Sequence, residues 1–207
     1  MTKLLTLLFA GSLGLLIGCG STLKPVVLDQ NTRRFPTQTV LGSDATKVKK
    51  PLDPKLMKLA YIKSDAKSTT QYHQFFKSCV ETMRKFDKVS DKEDFETLII
   101  QKNLGSKVSN VSDLVGLHNL AQEIGPFLVI EPNAVHKGGY NYEADLKAIN
   151  PTTGETLLHL HHAAFNWSGL DEPLFYPLMN AFLDWLNEQP AAPSPATAPK
   201  DPKSTTP

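Results

Sequence analysis

Two hydrophobic periods run along this chain and divide it into helices and strands. Tyr72, Phe75, Phe76, Cys79, Val80 and Met83 recur at offsets 0, 3, 4, 7, 8 and 11, the stripe of a helix lying on a core. Tyr140, Tyr142, Ala144, Leu146 and Ala148 instead alternate with Asn141, Glu143, Asp145 and Lys147, the period of a half-buried strand. Phe127 to Ile130 is a continuous apolar run, which suits a strand covered on both faces and so central in its sheet.

The remaining elements fall between these. Leu56 to Ile62 reads as a first strand and Phe86 to Val89 as a short one. A second helix opens at Ser90 or Asp91, turns Phe95, Leu98 and Ile99 inward, and stops at Gly105. Ser112 is positioned to cap a third helix with Leu114, Leu117, Ala121 and Ile124 on its inner face, ended by Gly125-Pro126. Asn150-Pro151-Thr152-Thr153-Gly154 turns the alternating strand into another at Glu155 to Trp167, a hairpin. A final helix from near Asp171 carries Leu178, Phe182, Trp185 and Leu186, with Pro173 and Pro177 in its first turn.

The ends of the chain lack such periods. From Gly20 to Pro54 the sequence is polar and broken by Pro25, Pro36, Pro51 and Pro54, which predicts a tether. Gln189 to Pro207 is almost wholly Pro, Ala, Ser, Thr, Lys and Asp, a composition that cannot offset its own ordering entropy. The expected organisation is a signal segment over 1–18, Cys19 and a flexible tether to 54, one α/β domain over 55–188, and a disordered tail over 189–207.

The start has the three parts of an export signal: Lys3, an apolar run from Leu4 to Ile17, and small residues before a cut. Gly11, Ser12 and Gly14 interrupt the run, which is shorter than the roughly 20 apolar residues of a spanning helix. Leu16-Ile17-Gly18-Cys19 resembles the lipobox of bacterial lipoproteins, and that resemblance implies acylation of Cys19 as the first residue of the mature protein. A small residue before the cleaved bond admits the peptidase, and the thiol is suited to forming a thioether. Several acyl chains on one residue give firm anchoring, since a single chain is marginal. Resemblance to lipoproteins of double-membrane bacteria further implies sorting to the outer membrane, because Gly20 is not the aspartate that retains such proteins at the inner one.

Removing Lys3 from the 22 basic residues leaves 21 against 21 acidic ones, so the mature chain is formally neutral. Neutrality argues against nucleic acid as a partner. With Cys19 acylated only Cys79 remains, so no intrachain disulfide forms, and Cys79 on its apolar stripe reads as core.

A family resemblance rests on Asp113-Leu114, Leu117, Leu120-Ala121, Gly125, Phe127-Leu128-Val129, Gly138-Gly139-Tyr140 and Asn150-Pro151-Thr152-Thr153-Gly154-Glu155. This stretch is similar to a fold shared by the curli-secretion lipoproteins, the lipoprotein activators of penicillin-binding proteins, a polysaccharide-export lipoprotein and the amino-terminal domain of TolB. It implies a mixed β-sheet with helices packed mainly on one face. It also implies a periplasmic domain that binds another protein, or itself in a ring, as an accessory or assembly subunit. The chain lacks the additional long alternating segments of a transmembrane barrel, so pore formation is not expected.

Candidate chemistry is sparse. His159, His161 and His162 form the only metal-like cluster, with His159 and His161 on one face of a strand. Two imidazoles are short of the three or four ligands of a zinc site, and a polar strand face is the preferred account of them. Asp91, Glu93 and Asp94 suit the dipole of the helix they open. No nucleophile elbow, phosphate loop, His-Glu-x-x-His or Cys-x-x-Cys is present, so the expected catalytic, metal and cofactor sets are empty. Among the late aromatics, Trp167 and Tyr176 are the candidate partner-binding residues. The leading reading is a protein-binding lipoprotein; a hydrolase or metal-binding lipoprotein using His159 and His161, and a cell-wall tether, are the alternatives.

Overall fold

The computed structural model describes residues 23, 28–63, 70–166 and 169–188. Six strands form one mixed sheet in the order β1-β6-β5-β4-β2-β3: β1 Thr46–Lys49, β2 Leu59–Ile62, β3 Lys88–Ser90, β4 Leu128–Gly138, β5 Asn141–Asn150 and β6 Glu155–Phe165. Four helices accompany them: α1 Thr70–Met83, α2 Lys92–Gln101, α3 Leu114–Ile124 and α4 Tyr176–Asn187. β2 runs parallel to both β3 and β4, whereas β4, β5, β6 and β1 pair antiparallel. The fold is therefore α/β with a mixed sheet, the helices and strands as the two hydrophobic periods predict and the mixed sheet as the family resemblance implies.

The strands alternate between two cores. Ala60 and Ile62 of β2, Leu128 and Ile130 of β4, and Ala144, Leu146 and Ala148 of β5 face α1 and α4. Tyr61, Phe127 and Val129 point to the opposite side, where α2 and α3 supply Phe95, Ile99, Leu117, Leu120 and Ala121. The α1–α4 layer backs most of the sheet; the α2–α3 layer covers only the parallel end. Phe127 to Ile130 is wholly buried because it lies under both layers. α4 closes the larger core with Leu178, Phe182, Trp185 and Leu186, all buried, and Pro177 sits in its first turn where a missing N–H costs nothing.

Local signals set the element ends, with some shifts from the sequence reading. Leu56 belongs to a 3-10 turn, Pro54–Met57, capped by Asp53, so β2 starts at Leu59. α2 is capped by Asp91, whose side chain accepts from the Asp94 N–H while Asp94 accepts from the Asp91 N–H, a reciprocal capping box. It ends through Asn103 at φ 55°, not Gly105: asparagine tolerates the left-handed region that closes a helix. Asp113, rather than Ser112, caps α3 by accepting from the Gly116 N–H at 2.7 Å. Leu114 is 37% exposed, and Leu120 takes the inner position instead. Gly125, at φ 95°, ends α3 as its sequence context predicts.

The expected tether to Pro54 is corrected over residues 28–54. Phe35 is 2% exposed, its N–H donates to Asn180 Oδ1 at 2.8 Å, and Asn180 Nδ2 donates back to its carbonyl at 3.0 Å. Arg34 forms a two-pronged pair with Asp184 at 2.7 and 2.9 Å. Leu28 and Leu52 are also buried, and β1 adds itself to β6. The segment is a strap across α4. Its apolar residues are isolated between prolines, so only their distant partners give it order. The signal segment, Cys19 and the tail from 189 lie outside the described residues.

Candidate functional site

β4, β5 and β6 outrun the rest of the sheet. The Lys63 N–H donates to the Ile130 carbonyl at 2.8 Å, and the next outward-facing residue of β4 is Pro132, which has no N–H to extend the ladder with β2. Beyond it β4 continues to Gly138, paired only with β5 among the described strands. Gly138 and Gly139, at φ 101° and 60°, make the sharp reversal into β5. The result is an arm of three strands whose tip carries exposed apolar side chains: Tyr140 at 57%, Phe165 at 53% and Val135 at 44% exposure. The Tyr140 and Phe165 rings lie 5.5 Å apart. Beside them an open depression of about 400 Å³ is bounded by Lys137, Tyr142, Glu143, Ala163 and Phe165. Rigid aromatics on a supported strand pair are what a protein-docking anchor uses.

The three histidines separate. His159 and His161 lie on the open face of the arm, as their spacing predicts, and both donate to the same oxygen of Asp145, at 2.7 and 3.2 Å. Burial pushes the Asp145 carboxyl up, but these two hydrogen bonds outweigh it and hold the group below the ordinary carboxylate range. His162 points to the other face and its Nε2 donates to the Pro173 carbonyl at 2.9 Å. Burial pushes its imidazole down, more than the carbonyl raises it. Among the described residues no three His, Cys, Asp or Glu side chains are grouped to hold a metal ion. The trio couples β5, β6 and the turn before α4 through hydrogen bonds.

Tyr176 is a correction. It is 3% exposed and stacks between Phe35, at 5.6 Å, and Phe75, at 5.9 Å. A large aromatic near the chain end carries no mark of which way it faces, and here the strap covers it. Trp167 lies outside the described residues. The signal that distinguishes Tyr140 and Phe165 is positional: Tyr140 follows the Gly138-Gly139 reversal and Phe165 ends β6 opposite Asn141, so both stand at the far end of the arm, beyond the helices.

The other clusters are structural. Asp91 and Asp94 both accept from Lys77 on α1. Burial pushes the Asp91 carboxyl up, but Lys77 and the capping N–H together hold it below the ordinary range. Cys79 is fully buried, and burial pushes its thiol well up. Among the described residues no helix is long and apolar enough to cross a membrane.

No family model matches the chain, and no curated protein matches it. Among solved structures, it is similar to the LpoB C-terminal domain from Salmonella enterica at 10% identity, over 54% of this chain and 85% of that one, with a TM-score of 0.39. The LpoB C-terminal domain from Escherichia coli gives 12% identity over the same shares, with a TM-score of 0.37. A likeness of this size carries no argument about activity or partner, which rest on the chain's own residues.

Proposed function

We propose that this chain is an envelope lipoprotein, held by lipid on Cys19 at the periplasmic side of the outer membrane, whose arm docks a protein partner as an accessory or assembly subunit. The observation that carries the docking is the pair of exposed, mutually packed aromatics at the tip of a supported strand pair, Tyr140 and Phe165. The Leu16-Ile17-Gly18-Cys19 run behind an apolar segment supports the anchor. His159 and His161 both donate to Asp145, which suits a hydrogen-bonded polar strand face.

Two measurements test the reading. Palmitate fed to growing cells labels the native chain and not Cys19→Ser. A photo-crosslinking residue at the exposed Asn141, next to Tyr140 at the arm tip, joins the chain to one envelope protein, and the same residue at Lys102, on the opposite end of the sheet, does not. Equal crosslinking from both positions removes the arm as the docking surface.

A further inference from the structure

The ordered strap changes where the domain stands. Leu23 is packed, partly buried, against the larger core, and Leu28 is buried in it. Only four residue steps separate Cys19 from Leu23, a reach of about 13 Å at about 3.3 Å each. A lipid on Cys19 therefore holds the domain close against the bilayer rather than far out on a tether.

The strap enters the domain beside the C-terminal end of α1. There a groove of about 690 Å³ is lined by Leu28, Gln30, Arg33, Glu81, Thr82 and Arg84. Arg33 and Arg84 are both exposed, and among the described residues neither guanidinium has an ion-pair partner. Both adopt left-handed backbone, φ 57° and 52°, at the close of a turn: the Arg33 N–H donates to the Asp29 carbonyl at 2.8 Å and the Arg84 N–H to the Glu81 carbonyl at 3.1 Å. Glycine would hold either turn at less cost, so what these positions supply is the side chain.

The geometry points to a lipid-headgroup site: the groove seats the phosphate of a phospholipid from the bilayer that holds the anchor, between the guanidiniums of Arg33 and Arg84. Arginine suits a phosphate because its planar fork of donors meets the oxygens two at a time. Glu81 in the same groove suits the ammonium of a zwitterionic headgroup such as phosphoethanolamine. The inference rests on the anchor proposed above. It also gives the arm a direction. α1 connects two parallel strands and so ends where they begin, whereas β4 carries the arm to the opposite end of the sheet, roughly 35 Å away over its length at about 3.3 Å per residue. Headgroups at the base would turn Tyr140 and Phe165 away from the membrane.

The test uses the full lipidated chain in phosphatidylethanolamine vesicles containing a headgroup-spin-labelled phospholipid. Fluorophores are placed on Gln30→Cys at the groove and, separately, on Asn141→Cys at the arm tip; Cys79 is buried and Cys19 acylated, so neither competes for label. The Gln30 reporter is expected to be quenched severalfold more than the Asn141 reporter. Arg33→Glu with Arg84→Glu should bring it down towards the Asn141 level while vesicle association is unchanged, and Arg33→Lys with Arg84→Lys should retain part of the difference. Vesicles of a galactolipid without phosphate, with the spin label carried on the sugar headgroup, should lower the Gln30 quenching likewise. A palmitoylated chain whose two reporters are quenched equally, or whose Gln30 quenching ignores the charge reversal or the galactolipid, overturns the groove alone. A chain with no palmitate on Cys19 overturns the anchor and the groove together.

Discussion

The sheet has two ends built on different terms. At the parallel end, β2, β3 and the start of β4 are covered by α1 on one side and by α2 and α3 on the other, so Phe127 to Ile130 are apolar without interruption. At the arm, β4, β5 and β6 keep helices on one side only and then none, so apolar residues alternate with Glu143, Asp145 and Lys147. The first arrangement stores stability; the second leaves side chains in reach of other molecules. The same strand, β4, serves both, which makes the contrast testable within one element.

The largest effect is expected where both layers meet. Phe127→Ala removes a ring packed 5.1 Å from Phe95 and should cost about 3–5 kcal/mol, read from denaturant midpoints. Next is Gly116 in α3, where an added Cβ would lie 1.8 Å from the Asn110 carbonyl oxygen. Gly116→Ala should cost about 1–3 kcal/mol, with a native-like spectrum if α3 shifts to make room. A loss at Gly116 as small as that of an arm substitution would mean the second layer is less tightly seated than its burial implies.

Asp91→Asn keeps a capping oxygen for α2 but removes the charge that pairs with Lys77, and should cost about 1 kcal/mol near neutral pH. Its folded-state carboxyl is held below the ordinary range, so its contribution is present above the unfolded value and is lost as pH falls through the folded one. The gap between native chain and variant should therefore close as pH falls through and below the ordinary carboxylate range. A gap that stays constant would assign the effect to packing instead of charge. Smallest of all, Tyr140→Ser with Phe165→Ser should change stability by no more than about 0.5 kcal/mol per site while abolishing arm crosslinking. A collapse of stability in that pair would make the tip a core and end the comparison.

Much of this contrast is legible in the residues because burial on one face or two writes itself as a period. The alternation of β5, the unbroken run opening β4, the stripe of α1 and the turn at Asn150–Gly154 all state their surroundings locally. His159 and His161 share a face for the same reason. The strap does not, since Phe35 is a lone aromatic between an arginine and a proline, and what orders it is Asn180, 145 residues on. Tyr176 fails likewise: it reads as a surface anchor until Phe35 is laid over it. Exposure at Tyr140 was hidden in the strand period, which tells which face a side chain takes but not where the helices beneath that face stop.

Pro132 ends the β2–β4 ladder, and that has a bearing on how an exposed arm survives among other chains. A sheet edge with an unbroken row of outward N–H groups is a template on which any extended segment can pair. In β4 alternate residues face outward, and proline removes the donor at the first of them past Ile130. A stray strand laid there finds its ladder interrupted at the root of the arm, so backbone recruitment is discouraged along the side while the tip stays open to recognition through Tyr140 and Phe165. A single imino acid thus helps separate selective contact from aggregation.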